Sequence, residues 1–150
     1  MKTATTLLLF LSILHFTNTA QVIEQDSLAL VAFYNSTGGP NWNNNSNWLT
    51  GQVSTWYGVT VEGGRLIKIM LYSNSLNGTL PNELGLLTKL NTLGISNELG
   101  LTGSIPEEIF SVDSLVWFGI GNCALTGKIP NTIGNCTNWF CFKLMWDFVS

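Results

Sequence analysis

With 150 residues, the chain is long enough for one domain with a real hydrophobic core. Six Lys and Arg stand against nine Asp and Glu, a formal net charge of -3, and 45% of the residues are apolar. This profile excludes a disordered chain, a nucleic-acid-binding surface and a polybasic membrane patch, because each depends on far more charge, the last two on clustered Lys and Arg.

Residues 1–20 read as a secretory signal peptide. Lys2 gives a positive start, residues 7–16 are apolar except for Ser12 and His15, and small Ala20 precedes Gln21. The competing reading is a membrane anchor, but the run is about half of the roughly 20 residues a spanning helix needs. His15 is the only histidine and leaves with the signal, so a secreted chain has no Ser-His-Asp or Cys-His site. Cys123, Cys136 and Cys141 match no zinc spacing. They read as small apolar fillers, with one bridged pair as the alternative.

Residues 21–65 begin with a helix. Leu28, Val31, Ala32 and Asn35 fall on one helical face, with Leu30, Phe33 and Tyr34 beside it; Asp26 suits its start, and Gly38-Gly39-Pro40 ends it. Trp42, Trp48 and Trp56-Tyr57-Gly58-Val59 follow. Their reading is core packing, set against an aromatic sugar platform. Gly63-Gly64 is a turn, with no phosphate-binding context.

Over residues 66–138 the chain repeats. Pro81, Pro106 and Pro130 stand 25 and then 24 residues apart. Before them come Leu76-Asn-Gly-Thr-Leu-Pro, Leu101-Thr-Gly-Ser-Ile-Pro and Leu125-Thr-Gly-Lys-Ile-Pro. After them an apolar residue recurs at every third position: Leu84, Leu87 and Leu90, then Ile109, Val112 and Leu115, then Ile133, Cys136 and Trp139. These strings resemble the leucine-rich-repeat family in its plant-type variant, L-x-G-x-I-P. The resemblance implies an α/β fold: a right-handed solenoid with a parallel concave sheet, short helical or 3-10 convex segments and an N-terminal helical cap. Its strand string, L-x-x-L-x-L, falls on Leu66, Ile69 and Leu71, on Leu90, Leu93 and Ile95, and on Leu115, Phe118 and Ile120. Parallel strands are therefore expected near 67–72, 92–96 and 116–121.

The family's turn asparagine, placed after each strand, corresponds to Asn74 in the first coil and Cys123 in the third. The second coil is one residue longer. Counting back from its proline puts Leu99 at that place, and a bulge with Asn97 taking over the role is the expectation. Residues 25–66 resemble the cap of such arrays without its cysteines, similar to caps of secreted bacterial repeat proteins. Residues 139–150 read as a degenerate or truncated fourth repeat: Trp139, Phe142, Leu144 and Val149 match a strand by spacing, with no G-x-I-P after them. An array left open there is expected to expose apolar surface and to self-associate.

The x positions of each strand point away from the core. That puts Lys68, Met70 and Tyr72, then Thr92, Gly94 and Ser96, then Trp117, Gly119 and Gly121 on the concave face. The binding residues expected are Lys68, Met70, Tyr72, Thr92, Ser96 and Trp117, with Tyr72 and Trp117 as anchors beside small residues that leave room against a ring. No catalytic residue, metal or cofactor is expected. Glu107-Glu108 read as a solvated start of a helix-like turn rather than a glycosidase pair. Asn35, Asn44, Asn77 and Asn135 each open an N-glycosylation triplet, relevant in a eukaryotic host. The reading is an extracellular, non-catalytic module that binds a protein, a peptide or a glycan. The alternatives are a truncated receptor-like ectodomain, an inhibitor of a secreted wall-degrading enzyme, and an ice-binding protein. Ice binding calls for a regular hydroxyl row, which the column Thr79, Ser104, Lys128 does not make.

Overall fold

The structure, a computed structural model, describes residues 22–135 and 141–145. Helix α1 covers Glu24–Ser36. The strands are β1 (Val59–Glu62), β2 (Arg65–Tyr72), β3 (Asn77–Thr79), β4 (Thr92–Glu98), β5 (Gly100–Thr102), β6 (Trp117–Cys123) and β7 (Cys141–Met145). One sheet has the order β1-β2-β4-β6-β7, and β3 pairs with β5 in a second. Strand β1 is antiparallel to β2; the pairings from β2 to β7 are all parallel.

The three expected strands form side by side and parallel. The cause is the coil length: each coil returns the chain to the sheet after 24 or 25 residues, so like positions fall in register. Ile69, Leu93 and Phe118 align across β2, β4 and β6, as do Leu71, Ile95 and Ile120. All six are buried. Opposite them lie the 3-10 turns Asn82–Leu86, Glu107–Ser111 and Asn131–Asn135, each starting just after a repeat's proline. Leu84, Leu87 and Leu90, then Ile109, Val112 and Leu115, close the core from that side. No coil buries its apolar residues alone, and stacking supplies the missing wall. The backbone of β7 carries the sheet one strand further, with Phe142 and Leu144 in register with Phe118 and Ile120. The leader expected over residues 1–20 and the side chains from Trp139 onward lie outside the described residues.

The cap departs from the helical face expected for it. Asp26, Ala29, Leu30, Phe33 and Tyr34 are buried in α1, while Leu28 is 58% exposed and Asn35 is exposed. The helix begins at Glu24, and Asp26 makes no side-chain cap bond. Its carboxylate faces the first coil instead. Oδ2 accepts from Arg65 Nε at 3.0 Å and from the Leu66 N–H at 2.8 Å, and Oδ1 accepts from Arg65 Nη2 at 3.1 Å. A buried carboxylate needs such partners, and the buried side of α1, formed by Asp26, Ala29, Leu30, Phe33 and Tyr34, is nearly opposite the face expected from Leu28, Val31, Ala32 and Asn35. Burial also decides the reading of the tryptophans. Trp42, Trp48 and Trp56 are buried, and each indole N–H finds a carbonyl: Thr37, Tyr57 and Thr50. Trp48 stacks on Tyr34 at 5.5 Å and meets Trp42 edge-on at 4.9 Å. They form the core of the cap, not an open platform.

Candidate functional site

The outward face of the sheet is built from the positions that alternate with the core. The register makes one row of Lys68, Thr92 and Trp117, a second of Met70, Gly94 and Gly119, and a third of Tyr72, Ser96 and Gly121. On β7, Cys141, Lys143 and Met145 continue the three rows. The expected binding residues Lys68, Met70, Tyr72, Thr92, Ser96 and Trp117 thus share one face, half-buried except for Tyr72, which is 42% exposed.

The room expected beside the aromatic anchors is taken. A Cβ on Gly119 would lie 2.5 Å from the Trp117 ring. One on Gly94 would lie 2.7 Å from that ring, 2.7 Å from Tyr72 Oη and 2.9 Å from Met70 Sδ. The two glycines are the bed of Trp117, because only a residue without Cβ lets the indole lie this close to the strands. Tyr72 Oη donates to Met70 Sδ at 3.2 Å, and burial pushes the phenol pKa up, so it stays a neutral donor. Thr92 Oγ1 donates to Asn91 Oδ1 at 2.7 Å. Among the described residues the one ion pair joins Arg65 and Asp26, and Lys68 has no acidic partner. The result is a pre-formed aromatic and thioether surface with a cation beside it.

The edge where strands turn out of the sheet corrects the reading of the second coil. Glu98, not Leu99 or Asn97, occupies the place of the family's asparagine. It is paired with Cys123 in the register, and its side chain is buried. Glu98 Oε1 accepts from the Asn74 N–H at 2.6 Å and Oε2 from the Leu76 N–H at 2.8 Å. Asn74 repeats the step toward the cap, with its amide bonded to the Asn44 N–H at 2.7 Å and to the Asn44 carbonyl at 3.0 Å. Leu99 is 72% exposed, and Asn97 is an exposed residue within β4 at a left-handed φ of 59°. The extra residue is therefore absorbed after the ladder position, and counting back from the proline misplaces it by one. Counting forward from Ile95 by the Leu71-to-Asn74 interval finds Glu98. Cys123 is half-buried, and burial raises its thiol pKa, with the nearby Glu98 charge acting in the same direction. In the second sheet Thr79 pairs with Thr102 rather than aligning with Ser104.

Glu107 and Glu108 sit in the first turn of a 3-10 segment, exposed and half-buried respectively. No cluster of three His, Cys, Asp or Glu suited to a metal occurs among the described residues. Of the glycosylation triplets, Asn35 and Asn77 are exposed, Asn44 is half-buried with its Oδ1 accepting from the Ser46 N–H, and the Asn135 side chain lies outside the described residues.

A parallel sheet with one strand per coil, 3-10 turns behind it and an aromatic cap in front defines a capped repeat solenoid. The leucine-rich-repeat protein FLOR 1 of Arabidopsis thaliana is 31% identical over 121 residues, covering 77% of this chain and 36% of FLOR 1. A plant ice-binding protein superposes with a TM-score of 0.75 at 23% identity, over 83% of this chain and 41% of that one. A chain of the BIR3–SERK2 complex from Arabidopsis thaliana superposes with a TM-score of 0.67 at 29% identity, over 79% of this chain and 67% of that one. No protein-family profile matches the sequence. The chain is a leucine-rich-repeat protein with plant-type repeats. It spans between 8% and 36% of the curated relatives it matches.

Proposed function

We propose that this chain is an extracellular, non-catalytic recognition module that binds a protein or peptide through the outward face of its sheet. The observation that carries the reading is the Trp117 indole laid over Gly94 and Gly119 beside Tyr72 and Met70. The core does not need these side chains, and rigid aromatic groups on an accessible face are the usual centre of a binding patch. Lys68, Thr92 and Ser96 supply polar contacts around them. Several relatives carry names of receptors, and several structural neighbours are described as ectodomains, which supports an extracellular setting. The reading of residues 1–20 as a signal peptide agrees with that setting. No helix among the described residues is long and apolar enough to cross a membrane.

The experiment is a screen of immobilised protein against extracellular proteins and peptides, followed by affinity measurements on Trp117→Ala and Tyr72→Ala shown to be folded. Loss of an anchor is expected to weaken binding roughly thirtyfold, the equivalent of about 2 kcal/mol. Unchanged affinity in both variants would move the site off this face.

A further inference from the structure

The extra residue of the second coil does more than shift a register. Because it is absorbed after Glu98, Leu99 stands alone between β4 and β5 and projects into solvent. Between the Asn97–Gly100 segment, the Ser73–Asn77 turn and Asn43 of the cap lies a shallow, widely open recess of about 430 Å³. That volume is within the range of small-ligand sites, roughly 300–1,000 Å³.

Ser73, Asn77 and Asn97 bring neutral polar groups, Leu99 brings exposed aliphatic surface, and no basic or aromatic side chain takes part. Glu98 is the one charged residue of its lining, its two oxygens held by the N–H groups of Asn74 and Leu76. Asn43 is locked: its Nδ2 donates to the Ser73 carbonyl at 2.9 Å and its Oδ1 accepts from Ser75 Oγ at 3.0 Å. Asn97 spends its Oδ1 on Asn122 Nδ2 at 2.9 Å, which leaves its own Nδ2 uncommitted among the described residues. The Asn77 amide and the Ser73 hydroxyl make no hydrogen bond there either. The free groups are thus a whole amide, an amide donor and a hydroxyl, beside exposed leucine, on a rigid wall that carries a carboxylate.

We propose that this recess is a second binding site, separate from the sheet face, for an uncharged sugar unit of a glycan. A saccharide offers alternating donors and acceptors to amides and a C–H face to leucine, and it brings no charge. An anion finds no basic partner in the recess and meets the Glu98 carboxylate.

The test is an NMR titration of the full chain with a panel of neutral mono- and disaccharides, among them cellobiose and N,N′-diacetylchitobiose. Digalacturonate serves as the anionic probe and trialanine amide as a peptide probe. At least one neutral saccharide is expected to give saturable shifts at the amides of residues 73–77 and 97–100, with the anionic probe weaker. Asn77→Ala and Leu99→Ala, both exposed positions, are expected to weaken that binding roughly tenfold. Trp117→Ala is expected to leave it unchanged, so this result is independent of the sheet-face reading. No saturable shift with any neutral sugar, shifts confined to the sheet face, or a stronger response to the peptide or the anion would each overturn the proposal.

Discussion

Glu98 reaches one coil back along the solenoid and accepts the backbone N–H of Asn74 at 2.6 Å. Its other oxygen holds the Leu76 N–H, so one buried carboxylate satisfies two amides that leave the sheet. Buried donors left unpaired cost about 1–3 kcal/mol each. Glu98→Ala is therefore expected to lower stability by about 3 kcal/mol, seen as a lower urea midpoint at unchanged slope. Glu98→Gln keeps one acceptor oxygen and turns a donor toward the second amide, so its loss should be intermediate. Wild-type midpoints in both variants would show that the carboxylate does not hold the ladder.

The cap is tied to the first coil by Asp26, fully buried, and Arg65, whose side chain is 23% exposed and also donates to Thr88 Oγ1. Asp26→Asn turns an NH2 group toward guanidinium and backbone donors. Because Arg65 can regain water, the expected loss is about 2 kcal/mol, below that for a fully buried pair. Arg65→Lys should cost less than Asp26→Asn, because the ammonium keeps one charged bond to the buried carboxylate, but it should still cost stability, since it cannot span both oxygens. Thermal unfolding measures both, and limited proteolysis should cut Asp26→Asn first between α1 and β2. Equal protease resistance would contradict this role.

Trp117 should respond to a methyl group placed beneath it. Gly94→Ala puts a Cβ where the ring, Tyr72 Oη and Met70 Sδ already stand. Overpacking of this kind costs about 1–3 kcal/mol. The Trp117 indole N–H resonance should shift, and partner affinity should fall with it. A Gly94→Ala variant with an unmoved resonance and unchanged stability would mean that the ring does not rest on Gly94.

Cys123 should be a slow thiol. Its pKa is raised, chiefly by burial, so less thiolate is present near neutral pH than in a free cysteine. In a Cys136→Ser, Cys141→Ser background, iodoacetamide should modify Cys123 more slowly than a free cysteine. The rate should climb only as pH rises above the ordinary thiol range. Reaction at the free-cysteine rate at neutral pH would refute the buried placement.

Much of the fold is legible along the chain. The prolines and the leucine spacing locate three parallel strands and the side of each that is buried, because coil length alone dictates which positions fall in register. The outward positions follow from alternation, so Lys68, Met70, Tyr72, Thr92, Ser96 and Trp117 could be grouped before any coordinates. The strand match of the last twelve residues carries little by comparison, since an apolar stretch matches a strand at almost any offset.

Tertiary structure decided the rest, wherever a residue answers to a neighbour distant in sequence. The period counts the residues in a coil but does not say on which side of the ladder an extra one is absorbed. The amides of Asn74 and Leu76 settled that by requiring an acceptor, and Glu98 supplies it. Apolar spacing in α1 favoured the face of Leu28 and Val31, yet the helix buries Ala29, Leu30, Phe33 and Tyr34, the side from which Asp26 also reaches Arg65 and the Leu66 N–H. Small residues beside an aromatic read as open space in one dimension. Across the sheet, Gly94 and Gly119 lie in neighbouring strands under a single indole, and their missing side chains make the surface that Trp117 covers.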